Sequence, residues 1–330
     1  MLSHKSVIPG LLLSLAIAVP SWFLGQNLPI VGGPVFGIAT GLLLATFRKP
    51  GVIFDTGIKF AINKVLKGAI ILLGFQMNIR QIVLVGGQSL YIMIFTLLAA
   101  FLAAFFFGKL FNVESKMTTL IGVGTAICGG SAIAATAPVI KANNEEIASS
   151  ISTIFLFNVM AVFLFPLIGH AIGLSENGFG MWAGTAINDT SSVVAASFSF
   201  GESAGSLATI VKLTRTLMII PITLSLAIYT TKKSKAVNSN FSLRKVFPYF
   251  ILGFLGAAII NTLGLVEPDT SNIIGNSGKF LIVMAMASIG LSTDIRKLLK
   301  SGKKSVLLGA ICWFVVALSS LIAQKALGFM

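Results

Sequence analysis

Three ionisable side chains stand where the surrounding sequence is apolar: Asp189, Lys212 and Arg215. Moving a charge to the centre of a bilayer costs at least about 2.5–3.5 kcal/mol on insertion scales, so such residues face a partner, the protein interior or a wet cavity. Lys212 and Arg215 are three apart and share one helical face. The simplest arrangement pairs Asp189 with Arg215 or Lys212, which alone is a structural ion pair. One acid against two bases leaves a spare positive charge that favours an anionic ligand, and the planar arginine fork suits carboxylate, sulfate or phosphate. Alternatively, Asp189 takes a coupling proton or a sodium ion, and the bases act as its electrostatic counterweight. Neutral groups accompany them: Asn188, Thr190, Ser191 and Ser192 beside the acid, Thr125, Gly129, Gly130 and Ser131 earlier, and Asn158 between. Each could bond an ion or simply a neighbouring helix. Sodium near Asp189 is the single metal candidate, because two histidines and two cysteines form no zinc spacing. No cofactor is implied.

The segments that must position these groups repeat each other. Residues 124–136 read GTAICGGSAIAAT and residues 184–196 read GTAINDTSSVVAA, identical at six of thirteen positions. Glycine weakens a helix by roughly 1 kcal/mol against alanine. Two glycine- and hydroxyl-rich stretches in apolar flanks predict helices broken, or closely packed, around a polar centre. The copy with Cys128, Gly129 and Gly130 is the better candidate for a break, and the copy with Asn188 and Asp189 for chemistry. Pro138 and Pro166 are expected to kink or end their helices, and Pro221 to kink the segment carrying the two bases.

Composition sets the class. Hydrophobic residues make up 55% and charged residues 10% of 330, with a mean hydropathy of +0.95, against about 25% charged in soluble domains. This is an all-α polytopic membrane protein, with one transmembrane domain over residues 1–330. A span needs about 20 apolar residues, and eleven candidates occur: 7–24, 29–47, 60–77, 84–108, 117–138, 147–170, 178–200, 204–230, 246–265, 272–292 and 305–328. Residues 117–230 are expected to form a core bundle and the rest a scaffold. With the N-terminus cytoplasmic, 18 of 24 basic residues fall on the cytoplasmic side. Only Arg80, Lys141, Lys279 and Lys325 fall outside, as the positive-inside rule requires. The same distribution explains the net charge of +14 without nucleic acid. The first segment reads as a retained helix, with no clean small-residue cleavage site after it.

A second echo aligns 74–90 with 290–306 in opposite predicted orientation, an inverted repeat of the kind carriers use. The GTAI copies fit less well. One span apart, they run parallel if both cross, so either their likeness is small-residue packing or a copy re-enters.

The runs GTAICGGSAIAATAPVIKA, NDTSSVVAAS and VKLTR followed by Pro221 resemble the UPF0324 family, bacterial inner-membrane proteins also known as sulfate exporters. The likeness covers nearly the whole chain. It implies a fold similar to cation/proton antiporters and bile-acid sodium symporters, with inverted repeats crossing at broken helices near the midplane. Some relatives carry a His-Glu pair where this chain has Asn188-Asp189, which keeps an acid. The expected function is secondary active transport of a small anion, such as sulfate or an organosulfonate, coupled to H+ or Na+, from a homodimer in the lipid bilayer. The alternatives are a cation/proton antiporter-like carrier with Asp189 as the ion site, and a passive anion channel. An enzyme is not expected: Ser131 follows two glycines, but His4 and His170 lie near span ends.

Overall fold

The computed structural model describes residues 4–28, 31–234, 247–294 and 302–329. Lys235, Arg244, Lys245, Arg296, Lys297 and Lys300, used in the charge reading, lie outside them, as does much of the 290–306 echo. The described residues are overwhelmingly helical. The elements are α1 His4–Asn27, α2 Gly33–Phe47, α3 Val52–Phe60, α4 Leu66–Leu73, α5 Ile79–Leu110, α6 Ser115–Ala126, α7 Gly130–Thr136 and α8 Asn144–Ala171. They continue with α9 Glu176–Ala186, α10 Thr190–Phe200, α11 Glu202–Leu217, α12 Ile219–Ser234, α13 Phe250–Thr262, α14 Pro268–Ser292 and α15 Lys303–Leu327. Among the described residues, six stretches are long and apolar enough to cross a membrane: 7–27, α5, α8, 202–226, α14 and α15. A π-helical turn at Ala61–Val65 joins α3 to α4.

The two GTAI segments do not run straight through. Lys116 Nζ donates to the carbonyl of Lys141 at 2.7 Å. A continuous helix would hold those residues roughly 37 Å apart at 1.5 Å per residue. Likewise the Glu176 carboxylate accepts from the backbone N–H of Ser203 at 2.8 Å, and the rings of Phe179 and Phe200 stack at 3.9 Å. Residues 115–141 and 176–201 are therefore re-entrant hairpins that each return to the face they left. Their entering helices, α6 and α9, have 12 and 11 residues. That is roughly 17–18 Å, too short for a hydrocarbon core of about 30 Å.

α8 shows how the hairpins relate. Gly124 packs on Ile154, in the first half of α8, and Gly129 on Asn158, at its centre. Phe179 packs on Gly169, and Trp182 stacks on Phe165 at 4.2 Å, in its second half. The hairpins thus enter from opposite ends of α8 and meet beside its middle. The sequence left open small-residue packing or one re-entrant copy; here both copies turn back, and they are inverted relative to each other.

Prolines behave according to what surrounds them. Pro138 follows the end of α7 in a turn, as expected. Pro166 lies inside α8 without ending it. The break in the segment with the bases falls at Met218, not at Pro221 itself. Pro221 cannot bond the carbonyl of Leu217, four residues back, and its ring crowds that carbonyl, so α11 ends there.

The helices group by contact. α1–α4, α13 and α14 pack on one another, with Gly37, Gly41 and Gly290 letting the backbones of α2 and α14 touch, the small-residue packing that replaces hydrophobic drive in lipid. The hairpins pack with α5, α8, α11 and α15. The hairpin body therefore reaches beyond 117–230 to include α5 and α15: Trp182 Nε1 donates to Ala317 O at 2.9 Å, and the Thr185 and Ser320 hydroxyls lie 2.6 Å apart. Between the groups, α10 rests on α2 and α14, and Lys279 of α14 pairs with Glu202 at 2.7 Å.

Candidate functional site

A helix ends with carbonyls that have no partner inside it. In lipid these cannot turn to water, and each helix C-terminus also carries a partial charge of roughly −0.5. Two such ends, α6 at Ala126 and α9 at Ala186, meet in the middle of the protein. They end at the same position of the repeat.

Lys212 and Arg215 of α11 supply the donors. Lys212 Nζ donates to Ile127 O at 2.9 Å and Ile187 O at 2.8 Å, which are repeat equivalents. Arg215 donates from Nη2 to Thr125 O at 2.6 Å, and from Nη1 to the equivalent Thr185 O. Its Nε reaches Ala126 O at 2.7 Å. Both side chains are completely buried. α11 thus holds the two hairpin tips together through five charge-assisted bonds, with each base shared between the copies.

This corrects the expected ion pair. No contact under 4 Å joins Asp189 to either base. Asp189 is instead the N-cap of α10, its Oδ2 accepting from the backbone N–H of Ser191 (3.0 Å) and Ser192 (3.3 Å) and from the Ser191 hydroxyl. An aspartate at that position satisfies donors that the helix leaves open. The acid is half-buried, as is Thr190. Across from it, Gly129 adopts a φ of +66°, a left-handed conformation that favours glycine. A Cβ there would sit 3.6 Å from Asp189 Cβ and 3.4 Å from the Asn158 amide nitrogen. Gly130 is half-buried and Ser131 exposed.

Around the junction, several polar atoms are buried without a partner: both amide atoms of Asn188, Oδ1 of Asn158 and the hydroxyl of Thr125. Leaving such a group unpaired costs about 1–3 kcal/mol. Every residue singled out from the sequence therefore lies on a hairpin tip, at the centre of α8, or on α11 against the tips. The sequence reading missed Ser320 and Trp182, which fasten the second hairpin to α15, and Glu146, whose capping box with Asn143 starts α8. The Asn143-x-x-Glu146 spacing is a start signal that could have been read.

Comparison with known proteins gives one consistent likeness. The family described as "Conserved hypothetical protein 698" matches residues 9–309. A UPF0324 membrane protein of Fusobacterium nucleatum is 49% identical, covering 97% of this chain and 98% of its own. One from Streptococcus pyogenes serotype M6 is 49% identical over 99% of both, and one from Streptococcus mutans 50% identical over 97% of both.

Proposed function

The chain belongs to the UPF0324 family of membrane proteins, and on that premise we propose that it is a secondary active transporter of a small anion. One observation carries the reading: two inverted re-entrant hairpins meet at mid-depth against a buried lysine and arginine. Two full positive charges there face two C-terminal partial charges of roughly −0.5 each. They also face one carboxylate, which is itself partly offset by the helix N-terminus it caps. With both bases protonated the balance, after the α10 N-terminus offsets the acid, is a fraction of a positive charge, which favours a small anion at the junction. The ligand would touch the tips, not the bases, which are completely buried and hold the hairpin carbonyls. The proposed cargo is sulfate or an organosulfonate, coupled to H+ or Na+.

In this reading the protein sits in a bacterial cell membrane with its N-terminus in the cytoplasm. Re-entry moves only residues between the tips to the opposite side, which places Lys141 with Lys116 and strengthens the positive-inside distribution. The second reading is a cation carrier with Asp189 as its ion site. It is favoured by the unpaired amide oxygens of Asn188, next to that acid in the chain, and of Asn158, whose side chain reaches the same Gly129 turn. Reconstitution into liposomes separates the two. Counterflow of radiolabelled sulfate or sulfonate, dependent on a proton or sodium gradient, supports the anion carrier. Gradient-driven sodium or proton exchange with no anion present selects the second reading.

A further inference from the structure

The helical run from α3 through the π-helical turn and α4 to Gln76 carries lysines at a depth where charge is costly in lipid. It starts on the same side as α1, with Gly57 packed on Gly10, and continues along α14, where Ala69 meets Gly278. Lys64 and Lys67 lie roughly 18 and 22 Å along it from Val52, and Lys67 is still roughly 14 Å short of Gln76. Those lengths exceed what a four-carbon stem can snorkel. Both lysines are exposed, as are Lys59 and Asn63. Lys59, Asn63 and Lys67 are each four apart and follow one side of the run. α13 covers α4 only from Ile71 outward, where Gly253 packs on Ile71 and Phe254 on Gly74. It begins at Phe250, whose ring centre is 5.9 Å from Lys67 Nζ. Among the described residues, α3 and the π turn pack on α1 and α14 and leave the lysine side exposed.

Acids do not neutralise this side. Over residues 48–67, Arg48, Lys49, Lys59, Lys64 and Lys67 stand against one acid, Asp55, and Lys49 pairs with Asp294 at 3.2 Å. The sequence leading into α13, residues 235–246, adds Lys235, Arg244 and Lys245 and no acid. Charges at membrane depth need a partner or a wet cavity. We propose that the Lys59–Asn63–Lys67 side of α3 and α4, beneath the start of α13, is a water-filled recess that gathers small anions from the face on which α1 begins. Charges of one sign along low-dielectric walls focus the field and raise the local concentration of counter-ions. Ammonium groups act as mobile point charges, so oxyanions and sulfonates are held here loosely, as a pool beside the carrier. That these anions are the cargo rests on the anion-carrier reading; the wetness and charge of the recess do not.

Asn63→Cys in the full-length protein, reconstituted in vesicles, reads both properties, because the two native cysteines are buried. Two impermeant thiol reagents of opposite charge are compared, 2-sulfonatoethyl methanethiosulfonate and 2-(trimethylammonio)ethyl methanethiosulfonate. Each rate is divided by that reagent's rate with a free thiol in solution. From the face on which α1 begins, the anionic reagent should be favoured at least about tenfold at low salt, and most of that preference should vanish at about 1 M salt. Adding Lys59→Gln and Lys67→Gln should bring it within about threefold. No reaction at position 63 from that face, or reaction only from the other, overturns the recess. A preference that is absent, or that the two lysine substitutions leave unchanged, overturns the gathering of anions by these lysines. If the preference holds while liposomes carry no anion under any gradient, the recess stands and the carrier reading falls.

Discussion

Replacing Arg215 by methionine removes the guanidinium while keeping an unbranched side chain that fills most of its space. In the native protein three carbonyls, of Thr125, Ala126 and Thr185, depend on that group, and the residue is completely buried. No water reaches them, so each lost bond leaves a desolvated acceptor costing about 1–3 kcal/mol, at least about 3 kcal/mol together. Domains of 150–250 residues lose about 2–4 °C of melting temperature per kcal/mol, so the variant should melt about 6 °C or more below the parent. The assay is thermal unfolding of the detergent-purified protein, followed by the fluorescence of its three tryptophans. One of them, Trp182, lies on the second hairpin. Arg215→Lys should fall between, because a compact ammonium cannot reach both tips in the planar fork that the arginine uses. Asp189→Asn is the control, since asparagine caps a helix about as well as aspartate, and its melting should move little. If Arg215→Met melts within about 2 °C of the parent, the carbonyl ties are not what holds the tips, and the arginine is free to bind substrate.

Three further outcomes follow from the geometry. Cysteines replacing Lys116 and Lys141 should react with an impermeant thiol reagent from the same side of the membrane, and one replacing Asn177 from the other; Lys116 and Lys141 reacting from opposite sides would mean that the first GTAI segment crosses. Gly129→Ala places a side chain on a backbone of φ +66° and ψ −131°, which should destabilise the first tip by about 1–3 kcal/mol; an unchanged melting temperature would show that the turn does not need glycine. Asn188→Ala removes a buried amide with no partner, so its melting temperature should hold or rise while gradient-driven uptake falls about tenfold or more. Lower stability with normal uptake would make Asn188 a structural residue instead.

The helices were legible because apolar runs in lipid have one economical answer, and each of the eleven candidate segments is occupied by helix within the described residues. The reversals were not. A hairpin of two half-helices contains as many apolar residues as one crossing, and hydropathy counts residues without reading direction. The charge test was blind for a related reason. Two reversals cancel, so only the stretch between the tips changes sides, and Lys141 is the single lysine or arginine it holds. The half-helix lengths and the GTAI echo were the available signals, and re-entry was the reading that reconciled them. Asp189, Lys212 and Arg215 stood out because charge is costly at membrane depth. Their roles did not. The bases answer backbone carbonyls, and those are freed only by a chain break whose position depends on the fold. The acid answers the helix that begins beside it.

The five bonds from α11 have a mechanical consequence. Two leaves fastened to the same post cannot swing apart, so opening one tip while the other stays shut would cost several buried charge-assisted bonds at once. The tips must travel as one piece. What can slip is the boundary where α10 lies on α2 and α14, across which Gly32 touches Ser199 and an ion pair, Lys279–Glu202, reaches at one end. The repeat that reads as a doubled binding motif is then also a fastening device, and in a carrier of the kind proposed above a ligand would be carried with the fastened part.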